Sequence, residues 1–326
     1  MDVRWVSKSG IEEREWPDVP SLLERDDGFV WVDVQTCDDK TAKALAERFG
    51  FHALAIRDIL ERSHLPKIHA YPDHLFVVLH APEPGDAGHI HLIELDQFVG
   101  RRYLVTTHGP VAAGVPIEIA LKETSQVLER LQSGRLHVST PFELSYAIVS
   151  SLAHRQNDLL AQMATEVAGL EQRVRGELGD PVRVLEEMFL IRHELLSIRT
   201  MAAESGEVYA RLAALDRMIP PEAPPLIEDL IDRFERVRSM SDSEKEFAQG
   251  VIDFYQARTT TRMNVAMERL ALIAAVLLPV TAIASIYGMN LIVGQRTDII
   301  QLAIVLAFMA IVVGGMLAWT KRMGWW

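Results

Sequence analysis

The stretch LALIAAVLLPVTAIASIYGM, residues 270–289, contains no charged side chain and is followed at once by Asn290. At 1.5 Å of rise per residue it makes a helix about 30 Å long, the thickness of a bilayer's hydrocarbon core. A second charge-free run, IIQLAIVLAFMAIVVGGMLAWT at residues 299–320, meets the same requirement. Charged residues are spread over the 269 positions before the first run, so a mean hydropathy near zero conceals a strongly divided chain. The two runs predict a pair of transmembrane helices.

Their flanks orient them. Arg258, Arg262 and Arg269 precede the first span, Lys321 and Arg322 follow the second, and the connection carries only Arg296, opposed by Asp298. The positive-inside rule then places both ends of the chain in the cytoplasm, and residues 290–298 outside an inner (plasma) membrane. Residues 1–16 mix Arg4, Lys8, Glu12, Glu13, Arg14 and Glu15 with isolated apolar residues, unlike the continuous apolar core of a signal peptide.

Composition narrows the function classes. The net charge of −12 argues against a nucleic-acid partner and fits a surface that concentrates cations. Cys37 is the only cysteine, which rules out an intrachain disulfide and fits a reducing compartment. No phosphate loop, nucleophile elbow or zincin helix is present, so neither an enzyme nor a nucleotide-driven pump is expected.

Upstream of the spans two textures follow one another. Residues 29–34, 75–80, 90–98 and 102–107 are short and rich in β-branched and aromatic residues, as strands are. Residues 39–49, 52–61 and 115–131 read as helices, and a sheet covered by helices is the natural solution. After Gly134 the pattern is almost wholly helical. Thr140-Pro141-Phe142-Glu143 reads as an N-cap, a first-turn proline and a capping-box Glu, opening a helix to about Leu178. Gly179 and Asp180-Pro181 punctuate, and a second helix, antiparallel to the first, runs to about Met218. Pro220, Pro221, Pro224 and Pro225 should separate this hairpin from a third helix beginning at Leu226. Ile227, Leu230, Phe234, Val237, Met240, Phe247, Val251 and Phe254 form an apolar stripe along it. Continued through Gly250 to Met289, the helix would be about 95 Å long and would need bundling with copies of itself.

The expected architecture is α+β. A cytoplasmic α/β sheet domain occupies residues 1–134, a helical hairpin 135–225, a stalk helix 226–269 and the first span 270–289. An external loop (290–298), the second span (299–320) and a cytoplasmic tail (321–326) complete it.

Tyr287-Gly288-Met289-Asn290 stands at the outer end of a charge-free span, before a short loop and a second span. In that setting it resembles the signature of the CorA family of divalent metal-ion transporters, in the two-span Gly-Met-Asn superfamily. Asn264, Met267, Leu270, Leu277, Pro279, Thr281, Ile286 and Tyr287 stand where that family's pore helix has similar residues. HALAIRDIL (52–60), LPKI (65–68) and YPDHLF (71–76) resemble its cytoplasmic segment, so the likeness extends from about Phe29 to the end.

The resemblance implies a homopentameric funnel in the lipid bilayer, its first span lining the pore and its second facing lipid. It implies passive Mg²⁺ uptake gated by intracellular Mg²⁺, with Co²⁺, Ni²⁺ or Zn²⁺ as further cargo. Gly288, Met289 and Asn290 would form the selectivity filter, and Asn264, Met267, Leu270, Ala274, Leu278 and Thr281 would line the pore. Asp253 and Asp229 would bind regulatory Mg²⁺ between subunits, with Glu83 or Asp86 as partner.

Physical chemistry fits these roles. Mg²⁺ sheds its water reluctantly, so a ring of neutral amide oxygens at Asn290 can hold the hydrated ion without trapping it. Met267 and Leu270 suit a constriction that closes by dewetting. A divalent ion moving inward across 100 mV gains about 4.6 kcal/mol. The bland alternatives are that Gly288 and Asn290 cap a helix end, that the pore candidates pack a bundle, and that Asp229 and Asp253 are merely solvated. The chain departs from the family in two places. Its loop LIVGQRTD lacks an acidic Met-Pro-Glu-Leu segment and carries a cation-repelling Arg296, and Glu268 stands where many members have lysine.

Two other readings compete. Eight of the eleven histidines lie between His52 and His108, and His89 with His91 would suit a Zn²⁺ transporter of the ZntB branch. A membrane-anchored helical scaffold without transport is the alternative of another class.

Overall fold

The computed structural model describes residues 1–109, 115–176, 181–215, 219–288 and 299–322. Contacts divide the chain into two units, Met1–Val251 and Ile252–Trp326.

The first unit is built on a seven-stranded sheet: β1 (Asp2–Ser7), β2 (Gly10–Arg14), β3 (Gly28–Val34), β4 (Lys67–Ala70), β5 (His74–Pro84), β6 (Ile90–Gly100) and β7 (Tyr103–His108). Its order is β2-β1-β3-β7-β6-β5-β4, antiparallel throughout except where β3 lies parallel to β7. Four of the seven strands coincide with the expected ones. In β1 and β2 the apolar residues are interleaved with Arg4, Glu12, Glu13 and Arg14, and β4 has only four residues. No local period marks such strands; pairing with β3 and β5 makes them.

Alternation along the strands gives the sheet two apolar faces. Val30, Val32, Val34, Phe76, Val78, Phe98 and Val105 pack with α1 (Val19–Leu23), α2 (Asp39–Phe49) and α3 (Ala53–Leu60). Asp38 caps α2 by accepting from the Thr41 amide at 2.8 Å, and Gly50 ends it at φ 72°, a conformation that costs glycine nothing. Cys37 lies beside this cap, where burial first and then Asp38 push its thiol up to about 11, so at neutral pH it is an uncharged, poor nucleophile.

The opposite face, with Phe29, Trp31, Leu75, Val77, Leu79, Leu95 and Leu104, is covered by helices from the second half of the unit. These are α4 (Ile117–Ala120), α5 (Lys122–Gln132), α6 (Pro141–Gly176), α7 (Pro181–Ala213) and the start of α8 (Ala223–Gly288). The single helix expected at 115–131 is two, broken at Leu121. At the head of α6 the Thr140 hydroxyl accepts from the Glu143 amide at 3.2 Å, as a cap should, but the Glu143 carboxylate reaches the Ser139 amide, one residue before the expected one. The expected ends at Leu178 and Met218 lie outside the described residues.

The prolines do not hold α8 back to Leu226. It begins at Ala223, with Pro224 and Pro225 in its first turn, because first-turn amides have no helical acceptor to lose. The helix runs unbroken through Gly250 and Pro279 to Gly288. Its apolar stripe splits. Ile227, Leu230, Phe234, Val237 and Val251 are buried, whereas Met240, Phe247 and Phe254, spaced seven apart, are 43%, 45% and 54% exposed.

The second unit holds the rest of α8 and α9 (Ile299–Arg322). Both helices are long and apolar enough to cross a membrane.

Candidate functional site

In the second unit the pore candidates Asn264, Met267, Leu270, Ala274, Leu278 and Thr281 are all exposed, Leu270 and Leu278 to 67% and 68%. At about 100° per residue they fall within a sector of about 120° on α8. Leu272, Val276, Pro279, Val280 and Ile283 are partly covered, and their sector is centred roughly 180° away. On α9 the matching covered face is Val305, Met309, Val312, Val313, Met316 and Leu317. Towards Gly288, the two helices border an apolar crevice of about 380 Å³ lined by Ile283, Ile286, Tyr287, Ile304, Val305 and Phe308. The helix therefore turns one side to α9 and leaves the pore candidates on the other.

Chemistry varies along that open side. The Thr281 hydroxyl donates to the Leu277 carbonyl at 2.8 Å, so its oxygen's remaining lone pairs face outward as acceptors. Asn264 supplies an amide some 17 residues below (281 minus 264), about 26 Å along the helix, with the apolar Met267, Leu270, Ala274 and Leu278 of the same side between them. Pro279 lacks the N–H that would pair with the Ala275 carbonyl, yet the helix continues past it. A Cβ at Gly288 would meet nothing within 4 Å, so a neighbouring backbone has room to approach there. Met289 and Asn290 lie outside the described residues, as does the loop 291–298.

The candidate regulatory carboxylates differ in their surroundings. Asp253 is exposed on α8 in the second unit, and Asp229 lies on α8 in the first. Asp229 accepts from the Tyr146 hydroxyl at 2.8 Å and from the Arg233 guanidinium. Burial pushes its pKa up, but these hydrogen bonds outweigh it and hold the carboxyl below the usual range. Glu83, near the end of β5, is paired with Arg155 on α6 at 2.7 Å, and Arg155 also holds Glu123 on α5 at 2.9 Å. Asp86 is exposed in the β5–β6 connection. Among the described residues no group of three or more His, Cys, Asp or Glu is placed to hold a metal ion. The rings of His89 and His91 stand edge-on at 4.8 Å between centroids, and among the described residues no third donor joins them.

Sequence reasoning passed over the residues that most constrain this unit electrostatically. Arg155 is one. Others are Asp33 on β3, bonded to His108 on β7 at 3.0 Å, and the buried pair Glu94 and Asp96 on β6. The only available signal was a charge inside an otherwise apolar strand.

Comparison with known proteins places this geometry. The model of the CorA-like Mg²⁺ transporter protein family matches residues 26–322. The protein named "Putative metal ion transporter YfjQ" from Bacillus subtilis is 27% identical over 319 residues, covering 97% of this chain and 93% of its own length. The cobalt/magnesium transport protein CorA of Thermotoga maritima is 24% identical over 301 residues, covering 89% of this chain and 82% of its own. The structure of the CorA magnesium transporter from Methanocaldococcus jannaschii superposes with a TM-score of 0.82 at 17% identity, over 100% of this chain and 99% of that one.

Proposed function

This chain belongs to the CorA-like Mg²⁺ transporter family, and we propose that it forms a passive, potential-driven pathway for divalent cations, carrying Mg²⁺ inward under the control of intracellular Mg²⁺. The observation that carries the reading is the sidedness of α8. Its polar-and-apolar row from Asn264 to Thr281 is turned away from the side that α9 covers. A helix with a single neighbour in the bilayer would expose that row to lipid, where Asn264 and Thr281 gain nothing. Copies of the chain around an axis enclose it in water.

The same assembly gives Met240, Phe247 and Phe254 something to pack against, and their seven-residue spacing is that of helices wrapped about one another. Phe247→Lys should therefore weaken each subunit contact by roughly 2 kcal/mol or more. Mass measurement of the detergent-purified protein is expected to shift from a homopentamer to smaller species. An unchanged mass would remove this face of α8 from the interface.

Intracellular control is assigned to Asp253, with Asp86 as the partner from a neighbouring chain. Both are exposed. Mg²⁺ between Asp253 and Asp86 would hold the closed bundle, and its loss would leave like charges to push the subunits apart.

The deciding measurement is ion entry into proteoliposomes under an inside-negative potential, comparing Mg²⁺, Co²⁺, Ni²⁺ and Zn²⁺. Mg²⁺ should enter without nucleotide. The scaffold reading expects entry of none of them. Entry of Zn²⁺ alone would favour the ZntB-like reading, which rests here on the adjacent rings of His89 and His91.

A further inference from the structure

Strand β6 carries two carboxylates that the ion pathway does not use. Glu94 and Asp96 are two residues apart, hence on one face of the strand, and are only 4% and 0% exposed. Each has one oxygen with a donor: the Ser63 amide lies 2.6 Å from Glu94 Oε2, and the Thr107 hydroxyl 3.0 Å from Asp96 Oδ2. Glu94 Oε1 and Asp96 Oδ1 have no hydrogen-bond partner.

The charged groups packed around them are committed elsewhere. Lys67 on β4 is paired with Asp58 on α3 at 2.7 Å. Arg62 donates to the Leu92 carbonyl at 2.9 Å. His80, opposite Glu94 on β5, gives its Nε2–H to the Ser63 carbonyl at 2.7 Å and lies 3.9 Å from Glu94 Oε2. Burial brings His80 down to about 4, with Arg62, His64 and Lys67 adding in the same direction, so it is neutral at physiological pH. Cys37, ahead of α2, is near enough to Asp96 for that carboxylate to raise its thiol, and it adds no positive charge. Among the described residues no Lys or Arg stands within ion-pair distance of either carboxylate.

Two ionised carboxylates cannot share such a place. Burial, and then repulsion by Glu94, push Asp96 well above the carboxylate range, and burial pushes Glu94 up to about 7. The titration belongs to the pair.

Only one side of the pair is thin. Ser63 contributes both its amide, to Glu94, and its carbonyl, to His80, and it sits in residues 61–66, a segment with no helix or strand, where Glu61, His64 and Leu65 are exposed. The other sides are β5, β7 and the helices of this face. Water that must solvate a second charge enters through this segment. We infer that Glu94 and Asp96 jointly retain one proton and that its loss releases residues 61–66, making the α3–β4 connection a proton-operated latch on the α/β domain. Arg62, His64 and Leu65 also form one wall of a cavity of about 550 Å³ whose other side includes His193 and Glu204 of α7, so release of the latch enlarges that cavity.

The sign follows from the raised values. The closed latch is fully favoured below the ordinary carboxylate value of 4.5 and is lost as pH rises through about 7. The test is amide hydrogen exchange on the full-length protein in detergent, following a peptide that covers residues 61–66 and correcting for the intrinsic pH dependence of exchange. Protection there should fall by up to about tenfold per pH unit between about pH 4.5 and about pH 7, the limit for one linked proton, and level off above that, while β5 and β6 keep theirs. Glu94→Gln cannot ionise, and Asp96→Asn keeps an acceptor for Thr107 while removing the repelling charge. The double variant should show high, pH-independent protection, and each single variant, which keeps one buried carboxylate, a smaller fall than the wild type, so the single variants suffice should the double not fold. Protection that is constant with pH in the wild type, or a fall that is undiminished in all the variants, overturns the latch.

Discussion

Replacing Asn290 with Ala is expected to abolish Mg²⁺ entry into proteoliposomes, with at least about a tenfold loss of rate under the same inside-negative potential. The substitution removes the side-chain carboxamide that ends the first apolar run, Tyr287-Gly288-Met289 offering no other side-chain amide oxygen. A hydrated Mg²⁺ keeps its inner waters, so what a filter offers is a set of acceptors for their hydrogens. Losing even one hydrogen bond to a charged species, at about 1.5–3 kcal/mol, corresponds to tenfold or more in rate if it is missing from the barrier. A ring loses several together. Asn290→Asp separates shape from charge: it keeps an acceptor but binds the ion more tightly, so entry should slow less than in the Ala variant and depend more steeply on external Mg²⁺. Equal entry through wild type and Asn290→Ala would remove this residue from the mechanism while leaving the transport reading to be judged on the wild type alone.

Arg155→Met should give the largest loss of stability. Its guanidinium sits between Glu123 at 2.9 Å and Glu83 at 2.7 Å and also donates to the Ile119 carbonyl at 3.3 Å. The Arg155 and Glu123 side chains are 8% and 3% exposed. Methionine preserves the stem's packing but leaves Glu123 charged and alone in the interior. Removing one partner of a buried pair costs about 3–5 kcal/mol. At roughly 2–4 °C per kcal/mol for a unit of this size, the melting midpoint of the full-length protein should fall by roughly 6–20 °C. Glu123→Gln in the Arg155→Met background should recover part of that, because it removes the uncompensated charge. A midpoint within about 1 °C of wild type would mean that water reaches the network freely. Glu83 would also be released from its cation in this variant, so any change in the response to internal Mg²⁺ must be read against the lost stability.

Much of the architecture was legible along the chain because it depends on residue order alone. A run without charges, a period of three and four, and a proline or glycine at a break are properties of neighbours. They were enough to place both spans within α8 and α9, to place the hairpin of α6 and α7, and to mark the four most apolar strands. The family likeness was legible for the same reason, being carried by contiguous motifs such as Tyr287-Gly288-Met289-Asn290 and HALAIRDIL.

The rest was settled by partners that residue order does not reveal. Arg155 and Glu83 are 72 positions apart, and Tyr146 and Asp229 are 83 apart. Nothing near Glu83 announces that its charge will be met by Arg155, and at Asp229 the Arg233 four residues on was legible whereas the Tyr146 hydroxyl was not. The apolar stripe of α8 has one period from Ile227 to Phe254, but whether a member is buried, as Phe234 is, or exposed, as Phe247 is, depends on what the rest of the chain packs against it. β1 and β4 become strands because β3 and β5 offer them an edge. Glu94 and Asp96 sit in a strand whose apolar pattern predicts burial, yet only the surrounding strands and the Ser63 segment withhold the counter-charge that two carboxylates there would need. Local order sets which conformations the backbone favours, while charge compensation, burial and pairing are properties of distances that exist only once the chain has closed on itself.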